Sequence, residues 1–231
     1  MSRTLGGRAH PGGSWRMAGL VVASLAFGAP SVSSLSVTPG DISGGSSATG
    51  TVAVTRSTTP TTVALLSSNT SIVKVPSSVT VPANTASTTF QVVSGGGSAG
   101  CPSVSAVVSG STPRSAMIFV KPVNSSSSKL SLGLSTGTAV GGGSVTGTVT
   151  LIEPIGTGKV TVQLSSSSSQ ATVPASVILP PGVPNEVGIA VAKANFTITT
   201  QDMGTYNCAV ITATHDTERG RALLKLATIS G

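Results

Sequence analysis

Few side chains in this sequence can move a proton, attack a carbonyl or hold a metal, and their positions bound its chemistry. The 231 residues include two histidines, two cysteines and six carboxylates. His215-Asp216 is the one histidine–acid neighbour pair, with Glu218 and Arg219 close by. A general base or a metal ligand there would need further ligands or a pocket, so a solvated turn is the reading these residues favour. Gly96-Gly97-Ser98-Ala99-Gly100 fits the G-x-S-x-G pattern of a serine nucleophile. That elbow requires a buried strand before it, a helix after it and a histidine with an acid elsewhere, whereas this match lies in a Gly/Ser loop with no helical period following. The acidic residues are dispersed, which excludes a D-x-D-x-D calcium loop. No catalytic, cofactor-binding or metal-binding residue is therefore assigned, no cofactor is expected, and the chain is read as a non-enzyme.

The elements that would position any site are set by an internal repeat. SLSVTPGDISGGSSATGTVAV (34 to 54) returns as SLGLSTGTAVGGGSVTGTVTL (131 to 151), about 97 residues later. After a one-residue slip, LLSSNTSIVKVPSSVTVP (65 to 82) returns as QLSSSSSQATVPASVILP (163 to 180). Two domains of roughly 100 residues follow, each large enough for its own core. Aromatics make up 3% of the chain and hydrophobic residues 39%, so that core must be aliphatic.

Apolar residues alternate with polar ones in short runs. Val160, Val162 and Leu164 share one strand face, as do Val187, Ile189 and Val191, and likewise Leu224 and Leu226. Turn formers such as Pro39-Gly40, Gly95-Gly96-Gly97, Gly141-Gly142-Gly143 and Pro180-Pro181-Gly182 separate the runs, and no segment holds a helical period. About seven strands per unit predict an all-β chain of two tandem immunoglobulin-like antiparallel β-sandwiches. Residues 31–122 form the first, 123–128 a Ser-rich linker and 129–231 the second. So short and flexible a linker predicts domains strung end to end.

Residues 1–29 read as a secretory signal peptide. Arg3, Arg8 and Arg16 precede the apolar run Met17 to Ala29, which is too short to span a bilayer, and no membrane span is expected after its removal. The formal charge of +7 falls to +4 without those arginines, ten basic residues against six acidic. The remaining cations are scattered, with no cluster beyond Arg219, Arg221 and Lys225, so a nucleic-acid partner is not expected. Cys101 and Cys208 lie one in each unit. A free thiol, an inter-chain bond and a bridge between the domains all stay open, the last needing the domains side by side.

The shared residues carry a resemblance. A Gly-rich turn, S-x-T-G-T-V, a variable hairpin, L-S-S-S/N and V-P-x-S-V-x-x-P together resemble the bacterial immunoglobulin-like (Big-type) repeats of secreted and cell-surface proteins. The resemblance covers nearly the whole chain after residue 29. It implies an exported spacer, stalk or adhesive module whose partner is a protein or a cell-surface polysaccharide; a carbohydrate-binding accessory module is the alternative. Such a module would lean on exposed aromatics, and here Phe90, Phe119 and Phe196 alternate like core residues, leaving Tyr206.

Asp202-Met-Gly-Thr-Tyr206-Asn-Cys208 resembles the run leading into strand F of immunoglobulin domains, which implies a structural tyrosine corner at Tyr206. The partner cysteine of that pattern is missing, and the one tryptophan is Trp15. Asn69, Asn124 and Asn195 open N-x-[ST] triplets, which a bacterial setting leaves without consequence. The most divergent stretch of the repeat, 56 to 62 and its counterpart 153 to 159, is the expected contact surface, since loops carry specificity on sandwiches.

Overall fold

The computed structural model describes residues 29–154, 158–184, 189–201, 204 and 207–228, with 153, 154, 183 and 184 described by their backbone alone. The signal-peptide expectation and the Tyr206 corner lie outside the described residues. Among the described residues the chain is built of strands and contains no helix. The first unit holds β1 (Val32–Thr38), β2 (Asp41–Ser43), β3 (Ser47–Val54), β4 (Thr61–Ser67), β5 (Val73–Lys74), β6 (Ser78–Val81), β7 (Ser87–Ser94), β8 (Ser103–Val107), β9 (Arg114–Met117) and β10 (Phe119–Lys121). The second holds β11 (Leu130–Leu134), β12 (Thr138–Val140), β13 (Ser144–Pro154), β14 (Val160–Ser166), β15 (Ala171–Thr172), β16 (Ser176–Leu179), β17 (Val183–Pro184), β18 (Ile189–Thr200), β19 (Asn207–His215) and β20 (Glu218–Ala227).

In the first unit a β1-β3-β7-β5 sheet faces a β6-β4-β8-β9 sheet, and β10 pairs in parallel with β2. In the second, β11-β13-β18-β15 faces β12-β20-β19-β14-β16, with β17 added to β18. The opening segment of each unit thus contributes to both sheets. β1 and β11 run antiparallel to β3 and β13, while β2 and β12 pair in parallel with the closing strands β10 and β20. This is the immunoglobulin-type sandwich that strand spacing predicted, with ten strands in each unit because the opening segment and the β5–β6 or β15–β16 segment are divided between sheets, the closing strand is divided in the first unit, and β17 is added in the second. Two aliphatic cores fill the space between the sheets. One spans Val32 to Val120 and the other Leu130 to Leu226, with Val52, Val63, Val92, Val149, Val162 and Leu224 fully enclosed.

The alternation maps onto this core with one instructive difference. Val162, Leu164, Leu224 and Leu226 are buried, and Val160 packs against them. In β18, however, Ala190 and Ala192 face the core, so Ile189 and Val191 share the outward face. β-branched residues on a strand report pleated geometry as readily as burial.

The repeated T-G-T tripeptide has a packing cause. Gly50 in β3 pairs across the sheet with Phe90 of β7, and Gly147 in β13 with Phe196 of β18. Each ring lies over its glycine: a Cβ at Gly50 would stand 2.2 Å from the Phe90 ring, and one at Gly147 would stand 2.3 Å from the Phe196 ring. An aromatic covering a strand glycine restores the apolar contact that the missing side chain forgoes. A second device recurs at the strand ends. Ser94 Oγ donates to the carbonyls of Ser43 and Ser46, and Thr200 Oγ1 to those of Val140 and Gly143. Both hydroxyls are buried and saturated, so each fastens the turn before β3 or β13 to the end of β7 or β18.

Gly50→Ala and Gly147→Ala are each expected to cost about 1 to 3 kcal/mol, the range for overpacking a filled core. Urea denaturation followed by circular dichroism reads this out. A loss below about 0.5 kcal/mol at both sites, the size of an ordinary surface change, would refute the ring-over-glycine account.

Candidate functional site: the junction between the sandwiches

Among the described residues neither of the two chemical motifs is joined by the further groups its chemistry needs. Ser98 sits in the turn between β7 and β8, and its hydroxyl donates to the Ser71 carbonyl at 3.1 Å, with Gly97 at φ 72° and no helix following. His215 ends β19; its Nε2 lies 3.5 Å from Asp216 Oδ2 and its Nδ1 3.3 Å from the Thr161 carbonyl. Asp216 takes φ 50° in the two-residue turn to β20. Among the described residues no group of three or more His, Cys, Asp or Glu side chains is placed to hold a metal. Of the stretch 56 to 62, residues 56–60 connect β3 to β4 while Thr61 and Thr62 belong to β4, with Thr61 buried; the middle of its counterpart, 155–157, falls outside the described residues.

The structure instead brings together residues far apart in sequence where the two sandwiches meet. Cys101 and Cys208 form a disulfide with their Cα atoms 6.0 Å apart, closing a separation of 107 residues. Of the three thiol states left open by the sequence, this is the bridge between domains. The end-to-end string predicted from the linker is accordingly corrected: the turn before β8 and strands β2 and β10 of the first sandwich lie against β19 and β20 of the second. A six-residue serine tether permits this docking but cannot impose it.

Polar contacts orient the bridge. Asn207 Oδ1 accepts the Cys208 amide at 2.8 Å and lies 3.3 Å from the Cys101 sulfur, a contact without a shared proton because the bridged sulfur carries none. The same side chain donates from Nδ2 to Gln170 Oε1 at 2.9 Å, and Gln170 is itself buried. Beside the bridge, Lys225 of β20 forms an ion pair with Asp41 of β2. Its ammonium also lies 4.4 Å from the centre of the Phe119 ring, so one cation grips a carboxylate and an aromatic face of the other domain.

The linker is docked as well. Asn124 exchanges two hydrogen bonds with the backbone of Arg221, donating from Nδ2 to its carbonyl at 3.0 Å and accepting its amide on Oδ1 at 2.9 Å. Glu218 accepts from Ser128 Oγ at 2.7 Å and from the Lys129 amide at 2.9 Å. These bonds, the first above all, hold the Glu218 carboxyl below its ordinary pKa, with the Lys129 charge adding a smaller push in the same direction.

Sequence reasoning missed Asn124, Arg221, Asp41 and the Phe119–Lys225 contact. Asn124 was legible only as part of a glycosylation triplet, and no local pattern marks a residue whose partner is elsewhere in the chain.

No protein-family model matches the chain, and no curated protein matches it. Among solved structures, the D0-D1 domain of intimin aligns at 14% identity over 86% of this chain and 100% of that one, with a TM-score of 0.34. The Yersinia pseudotuberculosis adhesin InvE aligns at 14% identity over 85% of this chain and 60% of its own, with a TM-score of 0.31. A glycosyl hydrolase family 2 member from Bacteroides cellulosilyticus aligns at 13% identity over 79% of this chain and 23% of its own, with a TM-score of 0.33. Adhesins and a hydrolase thus stand at the same level of likeness, and scores this low carry no argument about function.

Two outcomes are expected at the junction. Replacing both cysteines by serine should lower stability by about 2 to 4 kcal/mol, the usual range for a disulfide closing a long loop, and should raise the radius of gyration in small-angle scattering as the sandwiches separate. An unchanged radius would mean that the noncovalent contacts alone hold the docking. Because the Glu218 carboxyl is depressed in the folded state, the stability it adds is complete above its unfolded value near 4.5 and is lost as pH falls through the lower folded value. In Glu218→Gln the acid limb of the stability–pH curve should therefore be shallower than in the parent; identical limbs would contradict the assignment.

Proposed function

We propose that the chain is a non-enzymatic extracellular module, structural or adhesive, whose two clamped sandwiches act as a spacer or as a protein-interaction unit. The observation that carries this reading is the Cys101–Cys208 bridge. Disulfides form and persist in oxidising compartments and are rare where thioredoxin and glutathione keep thiols reduced. The arginine-led apolar segment at residues 1–29 supports the same route. A second support is the kind of contact at the junction. Rigid docking through a covalent bond, an ion pair and a fastened linker suits a part that must hold a geometry, since flexible tethers lose that geometry to chain entropy.

Fractionation of the source organism tests the reading, with intact mass taken after thiol alkylation, before and after reduction. The expected species is found at the surface or in the medium, lacks roughly its first 28 residues, and takes up alkyl groups only after reduction. A full-length cytoplasmic chain alkylated at both cysteines without reductant would overturn it.

A further inference from the structure

We propose that the junction is a binding site for an acidic polysaccharide, held by Arg219 and Arg221 of β20 together with Lys121 of the first sandwich. The inference rests on the exported-module reading for access to such a polymer, but not for the chemistry of the site. Gly220, Leu224 and Leu226 turn towards the core, so Arg219, Arg221 and Lys225 share the outward face of β20. Successive outward residues on a strand stand about 6.6 Å apart, so Arg219 and Arg221 are neighbours, whereas Leu223 stands between Arg221 and Lys225 and makes the three an interrupted row of cations. Lys225 is committed to Asp41. Neither Arg219 nor Arg221 nor Lys121 has an acidic partner among the described residues.

Two clefts run along this row. One, of about 380 Å³, lies between the linker and the β19–β20 turn and includes Arg219, Arg221 and the hydroxyl-bearing Ser125, Ser127 and Thr217. The other, of about 390 Å³, includes Lys121, Arg221, Thr138 and Lys225. Arg221 lines both clefts; the first is walled by the linker and the second sandwich, and the second adds Lys121 and Pro122 from the end of the first sandwich. Of the acidic groups nearby, Asp41 is paired with Lys225 and Asp216 lies beside His215, while Glu218 lines the first cleft as a carboxylate held by the Ser128 hydroxyl and the Lys129 amide. The cations Arg219, Arg221 and Lys121 thus outnumber the acids Glu218 and Asp216 by one. What remains is net positive charge among hydroxyls, on a backbone that the disulfide and the Asn124–Arg221 bonds fix in advance.

The spacing of the cations selects the ligand. Charges set apart along the junction match a polymer carrying one charge at intervals, and guanidinium groups take carboxylates or sulfates in paired hydrogen bonds. Serine and threonine hydroxyls suit sugar hydroxyls. A nucleic acid strand and a neutral sugar platform would both want aromatic rings, and among the described residues no aromatic side chain lines either cleft, so what the site offers is charge and hydroxyls.

The test is calorimetric titration of the full, oxidised chain at low ionic strength with polygalacturonate, dextran sulfate, neutral dextran, inorganic phosphate and a single-stranded oligonucleotide. The two acidic polysaccharides should bind, more weakly as salt is added, and neutral dextran and phosphate should not. Arg219→Gln with Arg221→Gln should weaken polygalacturonate binding at least tenfold, and Lys121→Gln should weaken it to a smaller extent. Arg56→Gln with Lys74→Gln, which removes the same charge elsewhere, should leave it unchanged. Absence of binding by the parent chain, equal weakening in the Arg56/Lys74 control, or a preference for phosphate or the oligonucleotide would each overturn the site. Because purified protein is used, a failure here is separate from a failure of the export reading, which localisation decides.

Discussion

A covalent tie between two domains that are already consecutive in one chain is the constraint on which this architecture depends. Without it, six residues of mostly serine join two independent cores and leave their relative orientation to diffusion. With it, Cys101 and Cys208 are fixed at 6.0 Å between Cα atoms, and every other junction contact becomes local. The Asp41–Lys225 pair alone is partly exposed and of the kind worth at most about 1 kcal/mol. The constraint on the unfolded chain from a loop of 107 residues is several times larger. The bridge therefore sets the docking, while the ion pair, the Phe119 face and Asn124 select one orientation within what it allows.

Each sandwich solves the same packing problem with few materials. Almost no aromatics and no long charged networks are available, so valine, leucine and alanine fill the cores and one phenylalanine per domain closes over a glycine. The turn before β3 or β13 is fastened by one hydroxyl per domain, Ser94 or Thr200, buried against two carbonyls. Small side chains let the sheets approach, and the rings restore contact where smallness would leave a void.

Much of the fold was legible because a repeat exposes which positions recur, and recurring Gly, Pro and Val mark turns and core. Alternation located Val162, Leu164, Leu224 and Leu226 correctly, since period two is a local property of strands. It did not reveal that Ile189 and Val191 face outwards, because alternation fixes which residues share a face and not which face is covered. The junction was less visible for a related reason. Asp41 meets Lys225, and Asn124 meets Arg221, through the docking of one sandwich on the other, which no local period encodes. The cysteines alone carried a hint, as a set of alternatives. Nothing in the spacing chose among them.

The loop closed by the bridge contains β8 to β10 of the first sandwich, the linker, and β11 to β18 of the second. Tension applied between β1 and β20 would therefore run from the turn before β8 through two sulfur atoms into β19, bypassing the linker and strands β11 to β18. Those strands contribute nothing to the extensible length while the bond is intact. Only the chain beyond Cys208, chiefly β20, can be peeled from the second sandwich, and about twenty residues at roughly 3.5 Å each lengthen it by some 70 Å at most. Under load the second sandwich is a sheltered domain beside a short strap, and the extensible length lies chiefly in β1 to β7 of the first.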